Sequence, residues 1–181
     1  MSDFVLVAIE LLILLVVLAG LVFLLFMATL AFFGVPWVRT PGKVGRKMFE
    51  LADLKQGERV ADFGCGDASL LITAAKEYGA CGIGYDFNPV LIFVGRLRAR
   101  LAGVGDKIEL RVANFNTVDL PEVDLIASYL LEPVQNKLSK RFRGHYKPGT
   151  KVVSRGFRYK DFPLIKQEKH GKETILLYHI S

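Results

Sequence analysis

Asp62, Gly64, Gly66 and Asp86 have the types and spacing to hold a charged small molecule. They lie in Val60-Ala61-Asp62-Phe63-Gly64-Cys65-Gly66-Asp67-Ala68 and at the end of the apolar run that follows. Gly64 and Gly66 permit a tight turn and let a ligand approach the backbone. A helix starting near Ser69 supplies free N–H groups. Asp86 comes about twenty residues later, where a carboxylate can accept both ribose hydroxyls of an adenosine moiety. A dinucleotide site asks for Gly-x-Gly-x-x-Gly, and here the third position is Ser69. Asp62 would repel a pyrophosphate but attract an ammonium or sulfonium. The pattern therefore favours S-adenosylmethionine over NAD. The plain alternative, a glycine turn without a ligand, leaves unexplained why Asp62 and Asp86 both end strands at one sheet edge.

The elements around these residues alternate. The pattern Val44, Met48, Leu51 predicts a helix over 44–54, and 59–63 reads as a strand ending at Gly64. A helix over 70–78, a strand over 81–85 ending at Asp86 and a helix over 90–102 follow. Residues 107–112 and 123–129 read as strands, 134–142 as a helix and 150–157 as a strand. The tail, 164–168 and 174–180, reads as two strands joined by a turn at Gly171. Alternating strands and helices imply right-handed crossovers and a mostly parallel sheet. The last two strands lack room for a crossover helix, so they form an antiparallel hairpin at one edge. The expected fold class is α/β, a Rossmann-like sheet with a C-terminal antiparallel hairpin, preceded by one transmembrane helix. Ligands of such sheets bind at the carboxyl ends of the strands, at the switch point.

Residues 4–33 carry one charge, Glu10, and 11–33 are apolar or small throughout. At 1.5 Å per residue the latter run spans roughly 35 Å, enough to cross a bilayer. A cleaved signal peptide would open with a basic residue and have a shorter apolar stretch; this chain opens Met-Ser-Asp and its run ends in Phe32-Phe33-Gly34. A buried core helix would be unusually long and apolar on every face. Residues 1–35 therefore read as an anchor embedded in the bilayer through 4–33, and 36–181 as the α/β domain. Trp37, in the Pro- and Gly-punctuated linker of residues 34–42, is placed at the membrane interface. From residue 39 on, all 24 Lys and Arg stand against 16 Asp and Glu, a net charge of +8. The positive flank follows the helix, which predicts a single-pass membrane protein with a cytoplasmic C-terminal domain. A basic domain suits an anionic leaflet, and charge alone would equally suit nucleic acid. Cys65 and Cys81 are expected roughly 15 Å apart on neighbouring strands, too far for a disulfide. No metal-ligand spacing is present; His145, His170 and His179 are scattered.

These motifs resemble those of the class I S-adenosylmethionine-dependent methyltransferases, in which the turn glycines line the methionine portion and an acidic residue after strand two holds the ribose. The resemblance implies Asn114, with Phe87 and Phe115, around the adenine. A closer resemblance covers about residues 36–135. It is to the membrane-anchored lysine methyltransferases that modify the adenine nucleotide translocase and the c-ring protein of ATP synthase, and to their prokaryotic relatives. It rests on Trp37-Val38-Arg39-Thr40-Pro41, on Asp62 to Asp67, and on Gly84-Tyr85-Asp86-Phe87-Asn88-Pro89. It implies that Thr40, Pro41, Asp67 and Asn88 join Asp62, Gly64, Gly66 and Asp86 around the cofactor. Where that family tends to a Val-Pro-Gln-type segment, this chain has Tyr129-Leu130-Leu131-Glu132-Pro133-Val134-Gln135.

The implied activity is methyl transfer to a lysine of a membrane-associated protein. The protein's part is mainly to align nucleophile and methyl. A lysine must first lose a proton, which costs about 4–5 kcal/mol at neutral pH. Tyr129 and Glu132, at the end of the fourth strand, are the candidates to assist; a packing aromatic and a helix-capping acid are the plain readings. The alternatives are a methyltransferase for a lipid or membrane-dissolved small molecule, and an RNA methyltransferase or non-catalytic S-adenosylmethionine-binding module. An anchor argues against freely diffusing RNA as partner.

Overall fold

The structure, a computed structural model, describes residues 3–33 and 38–181. The chain divides into two units, one ending at Val38 and the other running from Arg39 to Ser181. Trp37 and the expected boundary at 35/36 lie outside the described residues. The first unit holds helix α1 (Asp3–Phe33), of which Phe4–Met27 is long and apolar enough to cross a membrane.

The second unit runs α2 (Gly42–Leu51), β1 (Arg59–Phe63), α3 (Ser69–Tyr78), β2 (Cys81–Asp86), α4 (Pro89–Leu101), β3 (Ile108–Val112), β4 (Leu125–Ser128), α5 (Glu132–His145), β5 (Lys151–Arg155), β6 (Leu164–His170) and β7 (Glu173–His179). The strands form one sheet in the order β3-β2-β1-β4-β5-β7-β6. β1 to β5 are parallel, and β7 runs antiparallel to both β5 and β6. The expected sheet and terminal hairpin are thus present, with β7 inserted beside β5 and β6 at the edge.

The apolar residues of β1 to β5 point alternately to two cores. Met48, Phe49, Leu71, Ile92 and Ala99 of α2, α3 and α4 fill one. Phe63, Tyr85, Phe142, Tyr159 and Tyr178 fill the other, with α5. Element ends differ from expectation where capping decides them. Helix α2 stops at Leu51 rather than 54, because Asp53 takes a left-handed conformation with φ 51°. Its N–H donates to the Glu50 carbonyl and that of Leu54 to the Phe49 carbonyl, a closure that satisfies the last turn. Helix α5 begins at Glu132, two residues before the expected 134. Pro133 sits in its first turn, where its missing N–H has no intrahelical partner to lose.

The chain turns one way from β1 to β2 and β3, and the other way from β4 to β5, so the switch point lies between β1 and β4. Asp62 stands level with Gly84 of β2 and Ala127 of β4. The carboxyl ends of β1, β2, β3 and β4 therefore open on the same edge, at the residues singled out by their chemistry.

Candidate active site

The turn after β1 is built around positive φ. Gly64 has φ 88°, and a Cβ there would stand 2.8 Å from Leu130 Cδ2. Gly66 has φ 52°, and its N–H donates to Asp86 Oδ2 at 2.9 Å. The Gly64 and Cys65 N–H groups both donate to the Tyr85 carbonyl, at 2.7 and 3.0 Å. The glycine turn is thereby tied to the end of β2, and Asp86 is fixed where the turn begins. Its other oxygen accepts the Asn88 N–H at 2.9 Å. Burial raises the Asp86 pKa and these backbone donors oppose the rise.

Asp62 is in a different situation. It is buried, and no described residue donates a hydrogen bond to its carboxylate. Burial, then the negative charges of Asp86 and Asp67, push its pKa up to about 8. Such a carboxylate lacks a cation. Cys65, next to it and also buried, is held as a thiol by the same burial and the same carboxylates. The donor set fits a ligand with a cationic tail and an adenosine body, and fits a pyrophosphate poorly.

The remaining cofactor candidates fall into two groups. Phe115 is buried and meets Phe87 edge-on at 5.0 Å between ring centroids, beside the Gly64 turn. Asn114 is exposed at the end of β3, with its Oδ1 accepting the Asn116 N–H at 2.9 Å. These stand at the edge with Asp62, Gly64, Gly66 and Asp86. The other four make local braces. Asp67 is buried and paired with Arg98 of α4, accepts from the Ser69 hydroxyl, and lies 3.5 Å from Arg39 Nε. Asn88 caps α4, its Oδ1 accepting the N–H groups of Val90 and Leu91 at 2.9 and 3.3 Å. Pro41 precedes α2 and its carbonyl accepts the Val44 and Gly45 N–H groups. Thr40 Oγ1 accepts from Arg155 Nη1 at 3.3 Å.

Tyr129 and Glu132, the candidates expected to assist the acceptor, have separate surroundings. Arg155 lies 4.1 Å over the Tyr129 ring, which also faces Phe157 at 6.1 Å. Glu132 is half-buried and paired with Lys160 at 2.5 Å, which holds its carboxyl below the usual range. Arg155 was not singled out by sequence. It is buried at the end of β5, pairs with Glu173 of β7 through Nε at 3.0 Å and Nη2 at 2.6 Å, and reaches the Thr40 loop. The signal available was a charged residue closing the uncharged strand segment Val152-Val153-Ser154, at the same edge as Asp62 and Asp86. Beneath it, Gln135 Nε2 donates to Ser128 Oγ at 3.0 Å and Ser154 Oγ at 2.8 Å, locking β4 to β5. Among the described residues no group of His, Cys, Asp and Glu is arranged to hold a metal.

Comparison with known proteins agrees with this geometry. A Saccharolobus islandicus (strain REY15A) protein-lysine N-methyltransferase is 34% identical over 151 residues, 81% of this chain and 94% of that one. The Mus musculus lysine N-methyltransferase for the c-ring protein of ATP synthase is 24% identical over 147 residues, 81% of this chain but only 59% of the mouse protein. The crystal structure of an RNA methyltransferase from Salinibacter ruber in complex with S-adenosyl-L-homocysteine superposes with a TM-score of 0.76 at 33% identity, covering 79% of this chain and 94% of that one. The family described as the ANTKMT methyltransferase domain matches residues 62–166. That match runs from Asp62 in β1 into β6 and takes in the whole strand edge, and the chain belongs to this family of S-adenosylmethionine-dependent methyltransferases.

Proposed function

We propose that the chain is a membrane-anchored methyltransferase that modifies a lysine side chain of a membrane-associated protein, with its domain on the cytoplasmic side. The observation that carries the cofactor half is Asp62, a buried carboxylate without a partner among the described residues, at the edge where Asp86 and the glycine turn meet. In this reading Asp62 receives the methionine ammonium and Asp86 accepts the ribose hydroxyls. Gly64 and Gly66 line the methionine portion, and Phe87, Asn114 and Phe115 surround the adenine. Thr40, Pro41, Asp67 and Asn88 act by holding that shell in place. Bound S-adenosylmethionine supplies an activated methyl group for in-line displacement.

The lysine acceptor is supported by the names of the Saccharolobus and mouse relatives. Glu132 is kept ionised by Lys160, so it can attract an incoming ammonium but is too weak a base to hold the proton that ammonium releases. Tyr129 is fixed under Arg155. Membrane association is supported by α1, and the inward orientation by the position of every Lys and Arg after residue 38. A second reading, methylation of RNA, is favoured by the likeness to the Salinibacter RNA methyltransferase and by the net charge of +8 from residue 39 on.

One experiment separates the two. Membranes from cells with and without the enzyme are incubated with methyl-labelled S-adenosylmethionine, and label is sorted into protein, lipid and RNA. Enzyme-dependent label on lysine in a membrane protein, located by mass spectrometry, is expected. Label confined to RNA or lipid, with lysine methylation unchanged, overturns the acceptor.

A further inference from the structure

Helix α4 carries apolar side chains on two faces. Ile92, Gly95 and Ala99 are buried, against a sheet whose β2 and β3 contact the helix. Val90, Phe93, Leu97 and Leu101, spaced by three, four and four residues, form a second row and are 61, 68, 49 and 80% exposed. A helix on the surface of a water-soluble domain has a polar outer face, and a contiguous exposed apolar row marks a contact. The helix contains no Asp or Glu, and Arg96 and Arg100 are exposed along the row. An apolar row edged by arginine is the pattern of a helix lying in an anionic lipid interface. A two-fold contact with a second copy, row on row, would set these arginines against their own copies.

The chain enters the domain beside this helix. Arg39 Nε donates to Ser69 Oγ at 3.1 Å, and Arg98 of α4 donates to the same oxygen at 3.1 Å and to the Asp67 carbonyl at 3.0 Å. Arg39 and α4 thus share one hydroxyl and one carboxylate. Residues 28–38, between the membrane-length segment and Arg39, can extend to about 40 Å at most. A domain so tethered stays within reach of the lipid surface.

We propose that the Val90-Phe93-Leu97-Leu101 row docks on the anionic bilayer surface, giving the domain a second membrane attachment besides α1. The proposal rests on the reading of α1 as a membrane anchor. Helix α4 is capped by Asn88, two residues after Asp86, so docking holds the cofactor edge at the lipid surface, where a membrane-embedded acceptor emerges.

The test uses the full chain with Cys81→Ser, leaving Cys65 buried. An environment-sensitive fluorophore is attached through Leu97→Cys, or through Lys140→Cys at an exposed position of α5 as control. The protein is reconstituted in phosphatidylglycerol vesicles containing brominated acyl chains. The label at 97 is expected to be quenched and the label at 140 not. Quenching at 97 is expected to be lost when phosphatidylcholine replaces phosphatidylglycerol, and reduced by Arg100→Glu. Protein that floats with the vesicles but shows no quenching at 97 overturns the docking face while leaving the anchor standing. Protein that does not float overturns the anchor reading and the proposal with it. Cross-linking of two copies through position 97 without quenching assigns the row to a second copy and overturns the proposal.

Discussion

Asp62 and Asp86 are carboxylates at one strand edge, and the fold separates their tasks by giving them different partners. Asp86 accepts backbone N–H groups, those of Gly66 and Asn88 among them, and on the proposed reading they keep it in place for a neutral, hydroxyl-bearing ligand. On that reading Asp86→Ala removes both the hydroxyl contacts and these braces. With charged hydrogen bonds worth roughly 1.5–3 kcal/mol each, S-adenosylmethionine affinity should fall about 100-fold or more. Calorimetry checks this; an unchanged affinity would show that the ribose lies elsewhere. Among the described residues Asp62 has no donor, and burial next to Asp86 and Asp67 pushes it up to about 8. The folded protein therefore holds a proton that the unfolded chain loses near pH 4. Its contribution to stability is fully present below that pH and is lost as pH rises through about 8. A bound ammonium lowers the Asp62 pKa, so ligand binding near pH 7 should release a proton and affinity should rise from pH 6 towards 8. Binding enthalpies in two buffers of different ionisation heat report that proton, and Asp62→Asn should abolish the difference. The spacing of Asp62, Gly64, Gly66 and Asp86 was legible in the sequence, because strand ends and a glycine turn are local features. The neutralisation of Asp67 by Arg98, 31 residues away, was not, because only tertiary packing brings α4 to that turn.

The elements repeat one device with different residues. Helices α2 and α4 both close with crossed hydrogen bonds, Leu54 to Phe49 and Asp53 to Glu50 in the first, Val104 to Ala99 and Gly103 to Arg100 in the second. The left-handed residue is Gly103, φ 72°, in α4 and Asp53, φ 51°, in α2. Glycine, which has no Cβ, takes that conformation without the crowding other residues meet. Asp53→Gly should therefore raise the thermal midpoint, by about 2–3 °C for a domain of this size, since the exposed pair with Lys55 contributes little. A melting curve that falls instead would show that the aspartate stabilises the turn by some other contact. The same pair shows why element existence was easier to read than element ends. Gly103 announces the end of α4 in the sequence, whereas Asp53 has no such mark, and the helix was expected to run to 54. At α5 the difference runs the other way: the helix opens at Glu132 with Pro133 in its first turn, two residues before the expected 134. The acceptor side was least legible for the same reason. Arg155 over Tyr129, and Gln135 between Ser128 and Ser154, join residues in or just after β4 with α5 and β5, which no local pattern links.

At the scale of the molecule, the sequence divides its charge as sharply as its hydrophobicity. The first unit holds Asp3 and Glu10 as its only charged side chains, and Arg39 is the first basic residue of the chain. A helix with basic residues on one flank inserts with that flank on the cytoplasmic side. The same distribution makes the orientation measurable, because trypsin cuts after Lys or Arg and so has no site before Arg39. In intact cells the domain should resist added trypsin. In inside-out vesicles it should be digested, leaving a membrane-embedded fragment that ends at Arg39. Digestion from outside intact cells would reverse the orientation, and full digestion of a protein recovered in the soluble fraction would remove the anchor. The proposed orientation in turn restricts chemistry, since S-adenosylmethionine is a charged solute and reaches the strand edge from the aqueous side on which the domain stands. On that proposal, a cytoplasmic domain on a tether of about 40 Å or less limits acceptors to lysines exposed on that same face of the membrane. The trypsin fragment therefore decides which half of any membrane substrate this enzyme is able to methylate.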